Sequence, residues 1–200
     1  MKRRTALLLA PLLALALATP AAAEKISLND ISSYLNGLKT VVADFTQVNA
    51  DGTISTGKVY ISRPGRVRFE YAPPEKTLVM AGGGQVAVFD GKSNMAPEQY
   101  PLSKTPLSII LAENVNLGKA RMVTAHKEEK NTTTVTAQDP AHPEYGSIKM
   151  VFTGKPTELR QWVITDDAGQ KTTVILGDMQ KGVEIKPSKF SIPTEIDKRK

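Results

Sequence analysis

Cysteine is absent from this 200-residue sequence, and its absence excludes several kinds of chemistry. A chain without thiols forms no disulfide, builds no thiolate metal site and has no cysteine nucleophile. It also offers no cysteine to which a bacterial cell could attach a lipid, and Glu24 occupies the position where such an anchor would be needed. We therefore expect a protein that is not itself lipid-anchored.

Long hydrophobic runs are also scarce. The one extended run, Ala6 to Ala18, is too short to span a bilayer comfortably. Three basic residues precede it and the small residues Ala21 to Ala23 follow it, which is the pattern of a secretory signal peptide. We expect residues 1–23 to be a signal peptide cleaved after Ala23, and residues 24–200 to form one domain in the periplasm, without a transmembrane helix.

Basic residues are only slightly more numerous than acidic residues. Three of the 26 basic residues lie in the predicted signal peptide, which leaves 23 basic against 20 acidic residues and a net charge of +3. The basic residues are dispersed along the chain and are not gathered into a stripe. No nucleic-acid partner is therefore expected.

Patterns that would support catalysis are missing too. The two histidines, His126 and His142, lie in a strand-like segment and a proline-bounded loop, without the spacing of a metal site. The adjacent carboxylates Asp166 and Asp167 belong to a predicted turn, where their side chains point apart. We expect no enzyme, no cofactor and no bound metal.

What the sequence does contain is a long series of strand patterns. Alternation of apolar and polar residues recurs from the end of a first helix to the C-terminus and predicts about 10–11 strands. The clearest pair is Gly57 to Tyr71, where residues 63–65 form a turn between two strands. Arg63 follows Val59 and Ile61 in the alternation. Its guanidinium is therefore expected at the rim of an apolar surface, where it needs hydrogen-bond acceptors.

Two amphipathic helices accompany these strands. The first follows the N-cap Ser27 and has an apolar face made of Leu28, Ile31, Leu35 and Leu38. The second is short, with Thr105 as its cap, Pro106 at the first helical position and an apolar stripe made of Leu107, Ile110 and Leu111. A helix this short is marginal alone, so it must pack on an apolar surface.

So many strands in one small domain either stack as a sandwich or curl into a barrel. We expect a mainly β protein with a single, strongly curved antiparallel sheet whose concave face holds both helices. Because few large aromatics are available to fill this face, a cavity is expected. Its predicted lining consists of Leu35, Val59, Ile61, Val67, Phe69, Leu78, Met80, Ile148, Met150, Phe152 and Trp162. A closed core would fit the same pattern.

Several short motifs give the chain a resemblance to a known family. They are Phe45-Thr46-Gln47, Gly57, Arg63-Pro64, Arg68-Phe69-Glu70-Tyr71, Pro74, the strand pair before Asp90-Gly91, and Thr105-Pro106-Leu107. In this order they resemble the LolA family of periplasmic outer-membrane lipoprotein carriers. The resemblance implies a half-open β-barrel closed by helices. It also implies a carrier of lipoprotein acyl chains, with an inner-membrane ABC transporter as donor and an outer-membrane receptor as acceptor. We expect a monomer.

The resemblance also implies a role for Arg63, because the family's arginine at this position holds a helical lid closed by hydrogen bonds. The lid helix here would contain Pro106, Leu107, Ile110 and Leu111. The segment Gln85 to Phe89 departs from better-known members in having few aromatics, so a different cavity lining is expected and the resemblance does not define the cargo range. Two alternatives remain open: a carrier of another envelope lipid, and a module that senses lipoproteins or lipids for a signalling partner.

Overall fold

The computed structural model describes residues 24–93, 95–118 and 121–200, so the predicted signal peptide at residues 1–23 lies outside the described part of the chain. The described residues form a 12-stranded sheet. The strands are β1 Thr40–Val48, β2 Ile54–Ser62, β3 Arg66–Tyr71, β4 Leu78–Gly82, β5 Gln85–Phe89, β6 Glu98–Pro101, β7 Val123–Glu129, β8 Thr132–Gln138, β9 Ser147–Thr153, β10 Glu158–Thr165, β11 Lys171–Leu176 and β12 Gln180–Lys181.

The strand order of the sheet is β6-β5-β4-β3-β2-β1-β11-β10-β9-β8-β7, with β12 also paired to β1. Most strands lie beside their neighbours in sequence and run antiparallel to them, as expected for a chain without helical crossovers. In the middle of the sheet, Phe45 of β1 faces Gly57 of β2 on one side and Leu176 of β11 on the other. Within the described residues β6 and β7 are the edges and do not pair, so the predicted open antiparallel sheet is confirmed.

Within the described ranges, three α-helices accompany the sheet: α1 Leu28–Gly37, α2 Leu107–Leu111 and α3 Ile192–Lys198. Helix α1 begins as predicted, with the Ser27 hydroxyl accepting a hydrogen bond from the Asp30 backbone N–H at 3.1 Å. Helix α2 is present, but the Thr105 hydroxyl donates to the Leu102 carbonyl at 2.8 Å instead of capping it, and Pro106 stands just before its first residue. No helix in the described ranges is both long and apolar enough to cross a membrane.

One face of the sheet, called the inner face below, is covered by α1 and α2. Its side chains form the larger of two apolar clusters, to which the helices contribute Leu35 and Ile110, among others. Trp162 and Phe152 are among the most completely buried side chains of this cluster. Burial of so much apolar surface supplies the stability that a five-residue helix lacks on its own.

The opposite face of β4 and β5, called the outer face, carries α3 and a smaller apolar cluster. Leu78 and Met80 belong to this cluster, together with Phe89 and Ile192. The prediction that Leu78 and Met80 line a cavity on the inner face is therefore wrong, and Val79 takes the inner position. The cause is local: β4 is apolar at every position from Leu78 to Ala81, so alternation could not decide which residues point inward.

Ion pairs also attach α3 to the outer face. Arg68 donates to Glu70 at 2.7 Å and to Glu195 at 3.0 Å, and Lys189 donates to Glu70 at 3.1 Å. Burial raises the pKa of both carboxyl groups, but the hydrogen bonds and charges of these cations and of Arg199 outweigh it. The pKa of Glu70 and the pKa of Glu195 are both lower than usual as a result.

Candidate functional site

A cavity of about 260 Å³ lies between the inner face of the sheet and the start of α2. Seven strands contribute to its wall, and most of the contributed side chains are apolar. The lining is Gln47, Phe69, Tyr71, Val79, Val86, Val88, Tyr100, Thr105, Pro106, Leu107, Trp162, Ile164, Thr172 and Val174. A cavity of this kind accepts hydrocarbon and offers few polar contacts.

Aromatic rings form one wall of this cavity. Phe45 makes edge-to-face contacts with Phe69 and Tyr71, with ring centroids 5.4 and 5.3 Å apart, and Phe69 contacts Trp162 at 6.3 Å. The ring of Phe45 lies over Gly57, where a Cβ atom would come within 2.9 Å of Phe45 Cε1 and would also clash with the Glu70 carbonyl oxygen. Only glycine fits under the ring, which explains the glycine within this strand.

A polar group lies at one end of the cavity. Tyr71 Oη donates to Gln47 Oε1 at 2.9 Å, and Gln47 Nε2 donates to Asn49 Oδ1 at 2.6 Å. Burial raises the pKa of Tyr71 to about 12, although the hydrogen bond to Gln47 opposes the shift. The phenol is therefore neutral near pH 7 and acts as a donor to the amide.

The segment that contains α2 is attached to α1 by side-chain hydrogen bonds. Asn36 of α1 donates from Nδ2 to the Val115 carbonyl and accepts from the Val115 N–H, both at 2.8 Å. The Leu117 N–H donates to Ser32 Oγ at 2.9 Å. At the other side, the Gly65 N–H donates to the Leu111 carbonyl at 2.8 Å. The chain around α2 is thus held at a few polar points above the sheet.

Arg63 connects the two helices from the turn after β2. Its guanidinium donates to the Leu35 carbonyl near the end of α1 and to the Ala112 carbonyl just after α2, and Nη2 lies 3.3 Å from Asn36 Oδ1. Helix C-terminal carbonyls lack intrahelical donors and carry partial negative charge, so they are suitable partners for a cation.

Arg63 is only 9% exposed, and none of the described carboxylates lies within ion-pair distance of its guanidinium. Burial lowers the pKa of Arg63, and its Nε atom has no partner among the described residues. The helix carbonyls and the Asn36 side chain are therefore its main compensation for lost water.

The predicted site residues fall into three groups. Phe69, Trp162, Pro106 and Leu107 line the cavity. Others pack in the core beneath the helices: Leu35, Val59, Ile61, Val67, Ile148, Met150, Phe152, Ile110 and Leu111. Leu78 and Met80 lie on the outer face. Sequence reasoning missed Gln47 and Tyr71, although both belong to quoted motifs and alternate in register with the inward-facing Phe45 and Phe69.

Other depressions are less suited to hydrocarbon. A larger one, about 680 Å³, lies on the outer face near Gly57, but it is lined by the ion pair between Lys58 and Asp44 at 2.6 Å and by Glu70. Charged groups of this kind resist transfer out of water. Across the described ranges, no three His, Asp or Glu side chains come together as metal ligands would.

Comparisons with known proteins identify a matching family and several similar proteins. The family model described as "Outer membrane lipoprotein carrier protein LolA" matches residues 36–193. An outer-membrane lipoprotein carrier protein of Chromobacterium violaceum is 23% identical over 205 residues, which covers 98% of both chains. One from Methylococcus capsulatus is 25% identical over 185 residues, or 84% of both chains. A solved LolA superfamily protein of Nitrosomonas europaea covers 83% of this chain and 98% of its own, at 10% identity and a TM-score of 0.45.

Proposed function

Because the chain belongs to the LolA family of outer-membrane lipoprotein carrier proteins, we propose that it binds the acyl chains of lipoproteins in the cavity beneath α2. Members of this family are carriers and not enzymes. The observation that supports the proposal most directly is the apolar cavity closed by a short, apolar helix. Each methylene group that leaves an apolar phase for water costs about 0.8 kcal/mol, so an acyl chain crossing water needs such shelter.

The cavity must enlarge when cargo enters. Its volume, about 260 Å³, is below the roughly 300–1,000 Å³ of sites that enclose drug-sized ligands, and a triacylated anchor is larger than most of those ligands. Helix α2 is the element proposed to move, because five residues supply little helical stability of their own. Leu107 fills part of the space that cargo would occupy, and Ile110 and Leu111 pack below it in the core.

Arg63 is proposed as the latch of this lid. It joins the ends of α1 and α2 through neutral carbonyl acceptors, so each contact is strong enough to favour the closed form yet weak enough to break. Closing the lid also removes the space available to the acyl chain. Re-forming the Arg63 contacts would therefore favour release of cargo at the acceptor.

The route of transfer follows from the same proposal. An inner-membrane ABC transporter would supply the lipoprotein, and an outer-membrane receptor would accept it, with the protein working as a periplasmic monomer. The predicted signal peptide and the lack of cysteine are compatible with this location.

The test is a lipid-occupancy measurement on the protein purified from the periplasm. The intact protein and its organic extract are both analysed by mass spectrometry. Recovery of triacylated lipoprotein supports the proposal and names the cargo. A free phospholipid or glycolipid would favour a carrier of another envelope lipid, and an empty protein that takes up no acyl probe would refute the proposed cavity function.

A further inference from the structure

At the polar end of the cavity, the Gln47 amide is oriented so that its Nε2 group can donate a hydrogen bond to an acceptor atom of a ligand. Tyr71 Oη donates to Gln47 Oε1 at 2.9 Å, which holds the amide at this end of the cavity. One Nε2 proton is directed at Asn49 Oδ1 at 2.6 Å. Asn49 is itself held in place, because its Nδ2 donates to Thr53 Oγ1 at 2.9 Å. If the Gln47 amide exchanged its donor and acceptor ends, Oε1 would face Asn49 Oδ1 and this bond would be lost.

This arrangement leaves one donor for a ligand. The Gln47 amide has two Nε2 protons, and the described residues provide an acceptor for only one of them. Gln47 also lines a cavity whose other walls are mostly apolar. A donor in such surroundings gains most from an acceptor that arrives with the ligand.

We propose that Gln47, held in place by Tyr71, binds the carbonyl oxygen of an ester-linked acyl chain and so fixes which end of the lipid lies where. The inference rests on the proposed function and extends it from hydrocarbon binding to recognition of the acyl linkage. An ester carbonyl accepts this hydrogen bond well, whereas an ether-linked alkyl chain of equal length lacks the carbonyl.

The position of Gln47 gives the bound chain a direction. β1 begins at Thr40, which pairs with Ser62 next to Arg63, and Gln47 lies seven positions further along the strand. At about 3.3 Å per residue this places the polar group roughly 23 Å from the latch end of the strand. The linkage binds near the Gln47 end, at the level of Trp162 in the register of β1, β11 and β10, and the hydrocarbon extends from there toward the core beneath α1 and α2.

The experiment compares two soluble probes: dioctanoylglycerol, which is a diester, and the dioctyl ether of the same glycerol. Both are titrated while the emission of Trp162, the one tryptophan in the sequence, is recorded. The native protein is expected to prefer the diester by about 2- to 12-fold, the range given by one neutral hydrogen bond. Gln47→Leu should bind both probes equally.

The matched control is Gln161→Leu, the same substitution on β10 at a position whose side chain lies on the opposite face from its neighbour Trp162. It should keep the diester preference. If Gln47→Leu fails to fold, Tyr71→Phe replaces it, because that change frees the amide orientation and should reduce the preference. Tyr60→Phe on β2, whose side chain contacts Lys189, is its control.

The outcomes separate this inference from the proposed function. If the native protein binds both probes with equal affinity, or if a folded Gln47→Leu variant keeps the preference, the carbonyl site is refuted while acyl binding stands. If neither probe binds, the proposed function itself fails. A second pair of titrations uses a synthetic S-diacylglyceryl cysteine and a phosphatidylglycerol, each against its ether analogue. A diester preference shown by only one of them identifies the source of the ester, and no preference in either refutes the site.

Discussion

Replacing Arg63 with leucine should increase the affinity of the protein for acyl chains. The guanidinium contacts three acceptors on the two helices: the Leu35 carbonyl, the Asn36 side chain and the Ala112 carbonyl. Only the Ala112 carbonyl belongs to the segment proposed to move with α2, and at about 1 kcal/mol of net free energy this contact favours the closed form roughly fivefold. If cargo binds only the open form, losing this contact raises the apparent affinity by up to this factor.

The fivefold figure is an upper limit for a physical reason. Arg63 is a buried cation that faces no described carboxylate and has an unpaired Nε, so its removal also recovers part of a desolvation penalty. Against this, leucine takes a donor away from the Ala112 carbonyl, whereas the Leu35 carbonyl still accepts from the Leu38 N–H at 3.2 Å. Arg63→Lys should give an intermediate affinity, because an ammonium lacks the planar fork that reaches both helices.

The assay is a titration with a brominated fatty acid, whose bromine quenches Trp162 when the chain enters the cavity. Arg66→Leu is the matched control, since Arg66 Nε donates to the Ser62 carbonyl at 3.2 Å and its guanidinium lies over Phe190, away from both helices. Transfer of bound lipoprotein to acceptor membranes should be slower from Arg63→Leu. A folded Arg63→Leu variant with native affinity and native transfer would show that the arginine is only a turn residue.

Three further predictions concern the lid, the aromatic wall and α3. Leu107→Asp should lower acyl-probe affinity at least tenfold with little loss of stability, because Leu107 is half-buried in the cavity wall; unchanged binding by the folded variant would remove α2 from the site. Gly57→Ala should lower the free energy of unfolding in urea by about 2 kcal/mol or more, because its Cβ would meet backbone, whereas Gly37→Ala on the open side of α1 should raise it by about 0.5–1 kcal/mol. Glu195 has a lowered pKa, so its contribution to stability is present above the ordinary pKa of 4.5 and is lost as the pH falls below that value. Glu195→Gln should therefore flatten the acid part of a plot of unfolding free energy against pH. An unaltered slope would contradict the role given to its ion pairs.

Part of the site could be predicted where the relevant strands alternate cleanly, although of the predicted lining only Phe69 and Trp162 face the cavity. In β2 and β3 every second residue is apolar, so Val67, Phe69 and the rim position of Arg63 follow from the hairpin alone. The contact of Leu107 with the cavity follows from its place at the start of the predicted lid helix. The sequence predicts that Arg63 needs hydrogen-bond acceptors, but it does not predict which carbonyls supply them. The two carbonyls belong to residues 28 and 49 positions away in the sequence.

Other features depended on contacts that a sequence pattern does not contain. The continuous apolar run of β4 hid the outward orientation of Leu78 and Met80. Helix α3 has only Ile192 and Ile196 to pack on the sheet, so no clear apolar stripe marks it, and its ion pairs join residues more than a hundred positions apart. The hydrogen bond between Tyr71 and Gln47 likewise requires two neighbouring strands to be placed first.

The central position of β1 has a consequence for how the chain reaches its folded state. Its Phe45 pairs with Leu176, which comes 131 positions later in the sequence. If the predicted signal peptide directs export N-terminus first, the β1 to β6 hairpins can form early, but the other edge of β1 stays unpaired until nearly the whole protein has crossed. Such late, long-range pairing slows folding and leaves an apolar strand edge open to self-association. Self-association through this edge of β1 should therefore be a risk until β11 pairs with it.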